Sequence, residues 1–299
     1  MVARTLQHHV SSWSRSIAAL PGGHLLRNGF RSAQTWLNYT HFQVLKHVLA
    51  SSALQPLARH HPRLAYKYLV PCLATGLSRT TRLAIMSYHY AYWVTRARTD
   101  FFALVLKGLE VWHVQLAAQR FSIALAYPFE SDFEGELSLV FRVDATPLYT
   151  ITFTYAPAGA IPLTEKAVVL VSRVQGTKNF ALIKQTTKLL HESTPAALLL
   201  QALGGLCQGC GIDLIVGVGT QVQLSHIKPD NRFDYTRFWQ QLGAEPTTHG
   251  LFVLPVPFAE KPIQAIKAHH RARTLAKRQY KLHLREAVRN YIAQQVLLP

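Results

Sequence analysis

The sequence predicts an α+β (α/β) protein, a mixed sheet with flanking helices that follows a mainly helical basic region. Three observations carry this. Between residues 121 and 176 apolar and polar positions alternate with no helical segment between the strands, the pattern of an antiparallel meander. After residue 177 helical and strand-like segments take turns, and "IDLIVGVG" is apolar without alternation, as in a strand buried on both faces. Ahead of residue 121 the apolar residues recur at helical spacing.

The elements follow in order. In "TWLNYTHFQVLKHVLA" Leu37, Val44, Leu45 and Val48 make one helical stripe. "TGLSRTTRLAIMSYHYAYWVTRA" follows a stop at Pro71 and continues in the same mode. "DFFALVLKGLEVWHVQLAAQ" mixes apolar and polar positions and fits helix or strand equally. "RFSIALAYP" reads as a strand. In "GELSLVFRVDATPLYTITFTYAP" Leu137, Leu139 and Phe141, then Tyr149, Ile151, Phe153 and Tyr155, alternate across a short link at 144–147, which makes a hairpin. "KAVVLVSRVQG" is a third strand ending at Gly176. "NFALIKQTTKLLHES" is a helix, and Pro195 opens a second that Gly209 and Gly211 stop. After the buried strand come the short helix "RFDYTRFWQQLG", the strand "HGLFVLPV" and a long helix over 263–296. The helical stretch between Gly176 and Ile212 forms a crossover, right-handed by the general rule. Three segments result: a mainly helical basic region 1–120, a sheet domain 121–260, and a basic helix 261–299 packed on the same unit.

Charge is uneven along the 299 residues. Residues 1–130 hold 14 Lys/Arg against 3 Asp/Glu, residues 131–260 hold 9 against 11, and residues 261–299 hold 9 against 1, for a net +17. A near-neutral middle with cationic flanks implies a polyanionic partner: an anionic membrane surface, a phosphorylated envelope precursor or nucleic acid. Three cysteines in such a length argue against a disulfide framework and for a reducing compartment. The start, "MVARTLQHHVSSWSRSIAALPGG", has too short an apolar run for a signal peptide and reads as an amphipathic surface helix rather than a transit peptide. No uncharged run is long enough to span a bilayer.

Two stretches carry candidate chemistry. "RVQGTK" stands between a strand and a helix, so Arg173, Gln175, Gly176 and Lys178 form a candidate phosphate-binding loop. In the C-terminal helix Lys267, Arg271, Arg278, Lys281, Arg285 and Arg289 are spaced 4, 7, 3, 4 and 4 and make one stripe for an anionic surface. Ile266, Leu275, Leu282, Val288 and Ile292 are expected to dock the helix while the stripe stays wet. Among the histidines, His191, His226 and His249 flank sheet ends, where a general base is useful, and the pairs His8-His9, His60-His61 and His269-His270 read as exposed. Cys207 and Cys210 form a Cys-x-x-Cys at a helix end without a second ligand pair, so they read as packing, and no metal is expected. The aromatic-rich run Tyr66–Arg98 offers rings for stacking on bases, which gives the alternative reading of a nucleic-acid-binding (RNA) or membrane-surface regulator.

The order of strands and helices around "RVQGTK", with "NRFDYTRFWQQLGA" after the next strand, resembles the N-acetyltransferase (GNAT) superfamily core. The resemblance covers residues 121–255 and implies an acyl-CoA pyrophosphate on Arg173, Gln175, Gly176 and Lys178. In "NRFDYTRFWQQLGA" the matching residues are Asn231, Trp239, Leu242 and Gly243. Trp239 stands where that superfamily often has a proton-donating Tyr, which leaves His226 and Tyr235 as the candidates for proton transfer. A longer set of segments, "YKYLVPCLATGLSRTTRLAIMSYHYAYW", "VQGTKNFALIKQTTKLLHESTPAALLLQAL", "FDYTRFWQQLGAEPTTHGLFVLP" and "KAHHRARTLAKRQY", resembles the VirK/YbjX family of Gram-negative bacteria. That likeness implies a cytoplasmic or inner-face protein tied to virulence and envelope adaptation, and it brings no established reaction. The expectation is a GNAT-like acyl or aminoacyl transferase, or an acyl-CoA-binding protein.

Overall fold

A computed structural model describes residues 39–157, 159–161, 166–227 and 233–299. The expected N-terminal surface helix lies outside the described residues. The first helices are α1 (Tyr39–Leu49), α2 (Gln55–His60), α3 (Arg79–Arg96) and α4 (Phe101–Lys107). The strands are β1 (Leu109–Leu116), β2 (Gln119–Ala126), β3 (Leu137–Val143), β4 (Thr146–Ala156) and β5 (Val168–Gly176). Then come α5 (Phe180–Leu189), α6 (Pro195–Gly209), β6 (Leu214–Val218), α7 (Tyr235–Gln241), β7 (Glu245–Pro246), β8 (Leu251–Pro255) and α8 (Ala268–Tyr291). The eight strands make one mixed sheet in the order β1-β2-β3-β4-β5-β6-β8-β7. Among the described residues no helix is long and apolar enough to cross a membrane.

The meander and crossover fall where the sequence puts them. β3 and β4 pair antiparallel from Leu137↔Phe153 to Val143↔Thr146, and β5 pairs parallel with β6 at Val169↔Ile215 across α5 and α6. The sheet nevertheless begins before residue 121. β1 pairs antiparallel with β2 from Leu109↔Leu125 to Leu116↔Gln119. Gly108, at φ +86, ends α4 and turns the chain into this strand, a conformation other residues resist.

α3 ties the helical region to the sheet. Ser78 caps it by accepting from the Thr81 N–H at 3.0 Å. Met86, His89, Tyr90 and Trp93 are buried at helical spacing, and the helix packs on β4. The contact is polar at its centre. Lys67 Nζ donates to Glu136 Oε1 at 2.6 Å and to the Gly135 carbonyl at 3.1 Å, and the Tyr90 hydroxyl donates to Glu136 Oε2. Both charged side chains are almost wholly buried. Next to it His89 Nδ1 accepts the Tyr155 N–H at 3.1 Å, so the imidazole is neutral with its proton on Nε2.

α6 is buried nearly all round, between the strands and α8. Gly205 and Gly209 let α8 come this close, while Gly204 makes room for the Phe258 ring. A Cβ on Gly205 would overlap the Arg285 carbonyl, and one on Gly209 would sit 3.0 Å from the Arg289 carbonyl. After α8 the C-terminus returns to α3, with Leu298 N donating to the Arg96 carbonyl at 2.7 Å.

Removing one partner of a buried ion pair strands the other charge, so Lys67→Ala should cost about 3–5 kcal/mol in urea denaturation. Lys67→Met with Glu136→Gln should recover most of that loss, and a single-variant cost near zero would dismiss the pair as a structural tie. A second outcome concerns pH. Burial, and then the charge of Lys67, hold the His89 pKa well below its ordinary value. A depressed folded-state pKa gives stability that is present above the unfolded value of about 6.5 and is lost as pH falls below it. Wild type should therefore lose about 1.4 kcal/mol per pH unit more than His89→Asn below that value. Parallel stability profiles would exclude this role.

Candidate functional site

Alternation along β3, β4 and β5 sorts two faces. Leu137, Leu139 and Phe141 are buried, whereas Val140 and Arg142 are half-exposed. That second face lines a cleft of about 470 Å³ together with Thr150, Arg173 and Gln175, a volume within the range of small-ligand sites. Lys107 at the end of α4 and the turn carrying Tyr127, Phe129 and Glu130 close its other side. His61, buried rather than exposed, backs this wall with its ring centroid 4.6 Å from that of Tyr127.

The cleft is cationic and in part apolar. Lys107 and Arg142 have no acid or hydrogen-bond partner among the described residues, and Glu130 is the acid that lines it. Arg173 is already engaged: its guanidinium donates to Glu134 and to Gln175. Glu134 in turn accepts from Gln223 Nε2 at 2.5 Å. The Tyr127 hydroxyl is buried without a partner among the described residues. Burial, then the nearby Glu136 and Asp132, push its pKa up, so it stays protonated, and its ring rather than its hydroxyl faces the cleft wall. The cleft can hold an anion with an apolar appendage.

The loop residues separate on inspection. Arg173, Gln175 and Gly176 line the cleft, and Lys178 is exposed beyond it. Gly176 is explained by packing. It pairs with Tyr149 across β4 and β5, and a Cβ there would overlap the Tyr149 ring. The start of α5 is capped from within, since Asn179 Oδ1 accepts the Leu182 N–H at 3.1 Å. An anion in this cleft therefore meets side-chain cations before backbone donors.

Of the proton-transfer candidates, Tyr235 does not line the cleft. β5 outruns its parallel partner β6 over residues 172–176, and this protein fills the gap with its own side chains. Val174 N–H donates to the Tyr235 hydroxyl at 3.4 Å, and Gln223 Nε2 reaches the Ser172 carbonyl at 3.4 Å. Burial pushes the Tyr235 pKa up. The side chain of His226 lies outside the described residues, as does Asn231. Trp239 is wholly buried over Gly217 and donates to the Val218 carbonyl at 3.0 Å. The His191 ring lies 4.7 Å from that of Tyr280, tilted by 42°, and His249 is exposed near Thr247 and Thr248. Cys207 and Cys210 are buried, and burial pushes both thiols up, as the packing reading expects.

The basic helix departs from a single wet stripe. Lys267, Arg271 and Arg289 are exposed, but Arg278, Lys281 and Arg285 are half-buried. Arg278 pairs with Glu260 at 2.9 Å, and Arg271 Nε caps the Ile266 carbonyl at 2.9 Å. Leu284, Val288 and Ile292 dock the helix, while Leu275 and Leu282, expected to dock, face solvent. The close approach at Gly205 holds Arg285 against α6. The aromatic run also turns inward: Tyr68, Tyr90, Tyr92 and Trp93 are core residues and cannot stack on bases. Neither α6 nor α8 contributes to the cleft.

Sequence reasoning missed Lys107, Arg142 and Tyr127. The signal for Arg142 was its place on the polar side of an alternating strand. Gly176→Ala should destabilise by about 1–3 kcal/mol through the clash with Tyr149. The double variant Gly176→Ala/Tyr149→Ala should show positive coupling in a thermal or chemical unfolding cycle. Independent effects would return the glycine to a loop role.

Comparison with known proteins agrees with the extent of this fold. The chain is 27% identical over 235 residues to the uncharacterized protein YbjX of Escherichia coli (strain K12), covering 73% of this chain and 69% of that protein. No solved structure matches. A model of the protein family of unknown function DUF535 matches residues 29–292. With the sheet, α3 and the cleft all inside those bounds, the chain belongs to the DUF535 family.

Proposed function

We propose that the cleft binds a phosphorylated acyl donor of the acyl-CoA class, and that the protein carries or transfers that acyl group to an envelope component at the cytoplasmic face of the membrane. The observation that supports this is the juxtaposition of two unpartnered cations, Lys107 and Arg142, with the apolar and aromatic wall of Val140, Tyr127 and Phe129 in one cleft. Phosphates suit the cations, and Arg in particular presents a fork of donors to them. An acyl chain suits the wall. The GNAT-like reading of the strand order is consistent with this, with the phosphate contacts moved from the backbone of the Arg173–Lys178 loop to the side chains of β3 and α4.

Binding is supported better than transfer. Transfer needs a base for the acceptor and donors for the developing oxyanion. Glu130 is the carboxylate lining the cleft, while the Tyr127 hydroxyl is buried away from it. Tyr235 is committed to Val174. When bound, an acyl-CoA would supply the activated thioester, and this chain would hold its phosphates and shield its acyl end.

Titration calorimetry with acetyl-CoA and a long-chain acyl-CoA is the test. Wild type and Tyr235→Phe should bind alike, and Arg142→Glu should bind about 10- to 100-fold more weakly, the range for losing a charge-assisted hydrogen bond. No heat from either donor would remove the proposal. Equal binding by Arg142→Glu would move the site away from this cleft.

A further inference from the structure

One exposed face beside the cleft is unlike the rest of the surface. Phe180 opens α5 with 76% of its surface exposed, and Phe129 on the cleft rim is 49% exposed. The two rings belong to one neighbourhood. Phe129 and Thr177 both line the cleft, and Phe180 follows Thr177 within a chain reach of about 10 Å. Along α5 Thr186 is buried and Leu182, Ile183 and Thr187 are half-buried, so one side of the helix rests on the protein. The other side presents Phe180, Lys184, Lys188 and Leu189 to solvent. Lys178, Lys184 and Lys188 have no acid or hydrogen-bond partner among the described residues. No Asp or Glu occurs between Arg173 and His191.

We propose that the outer face of α5, with Phe129, docks the protein on an anionic lipid bilayer and sets the mouth of the cleft against the lipid. Charge and shape favour this occupant. Separate rings among free lysines suit an interface where rings sink below the headgroups and lysine stems reach back to them. A protein partner would meet an interface centre rich in Lys, which such centres avoid. α5 suits this role better than the basic helix α8, where Arg278 and Arg271 are spent on Glu260 and on backbone carbonyls. The proposal deepens the reading of the cleft by naming the surface from which its acyl group is exchanged, but the docking contact does not depend on what the cleft binds.

Co-sedimentation with phosphatidylglycerol–phosphatidylcholine vesicles tests it, with phosphatidylcholine vesicles as the neutral comparison and no acyl donor added. Wild type should bind the anionic vesicles and be released by salt. Phe180→Ser should weaken binding about tenfold, the effect of withholding one partly inserted ring. Lys184→Glu/Lys188→Glu should weaken it by about 25-fold or more, at roughly fivefold for each lysine. Arg271→Glu on α8 should bind as wild type. All these side chains are exposed, so the variants fold. Phe180→Trp should shift its fluorescence to the blue on vesicles. Wild-type binding by the α5 variants, a loss confined to Arg271→Glu, or retention on RNA but not on vesicles would each overturn the proposal. Calorimetry with the acyl donors would still decide the cleft separately.

Discussion

The buried pair of Lys67 and Glu136 is the constraint on which the rest of the structure turns. A Lys and a Glu taken out of water are tolerated only when further hydrogen bonds offset their lost hydration. Here the Gly135 carbonyl takes a second Lys67 N–H, and the Tyr90 hydroxyl donates to the second Glu136 oxygen. That requirement fixes the short helical turn carrying Lys67, the middle of α3 and the first residues of β3 at one point. It also fixes the turn leading into β3. Glu134, two residues earlier, is thereby held where it receives Arg173 from β5 and Gln223 from beyond β6. The floor of the cleft and the filling of the β5–β6 gap both follow from a pairing made on the other side of that turn.

The second constraint is close packing through glycine. Two glycines on α6 bring α8 near enough for its backbone to touch. The cost falls on the basic stripe: Arg285 is drawn toward the contact, Arg271 caps a backbone carbonyl and Arg278 pairs with Glu260. Cations dense in sequence are therefore not all free in space. The lysines of α5 are fewer but unpartnered, and they stand beside the cleft. Net charge alone would have ranked these two surfaces the other way round.

The cleft and the gap between β5 and β6 divide what a single active site would combine. Residues 172–176 of β5 leave backbone groups without a strand partner, and such groups in a buried setting must be satisfied. Tyr235 and Gln223 do so, which removes them from proton chemistry. The opposite face of the same strands keeps its polar side chains open. The cleft gathers Lys107 and Arg142 beside aromatic walls. The absence of His from its lining among the described residues is why binding is the better supported half of the proposed function.

The sequence by itself determined what depends on neighbours in the chain. Alternation across 137–155 decides strand, face and hairpin register because side chains on a strand repeat every second residue. Pro195 opens α6 and Gly209 closes it, because Pro fits the first turn of a helix and Gly its end. "DFFALVLKGLEVWHVQLAAQ" stayed ambiguous because β1 is an edge strand, half wet on both faces, and only its pairing with β2 makes it a strand. The tertiary structure alone decided the rest, because the deciding partners are far apart in sequence. Lys67 and Glu136 lie 69 residues apart, Tyr149 explains Gly176 from another strand, and Lys107 meets Arg142 only once α4 closes over the sheet. No local periodicity records such meetings. They exist only when the fold has brought the groups to within a hydrogen bond or a ring's thickness of each other.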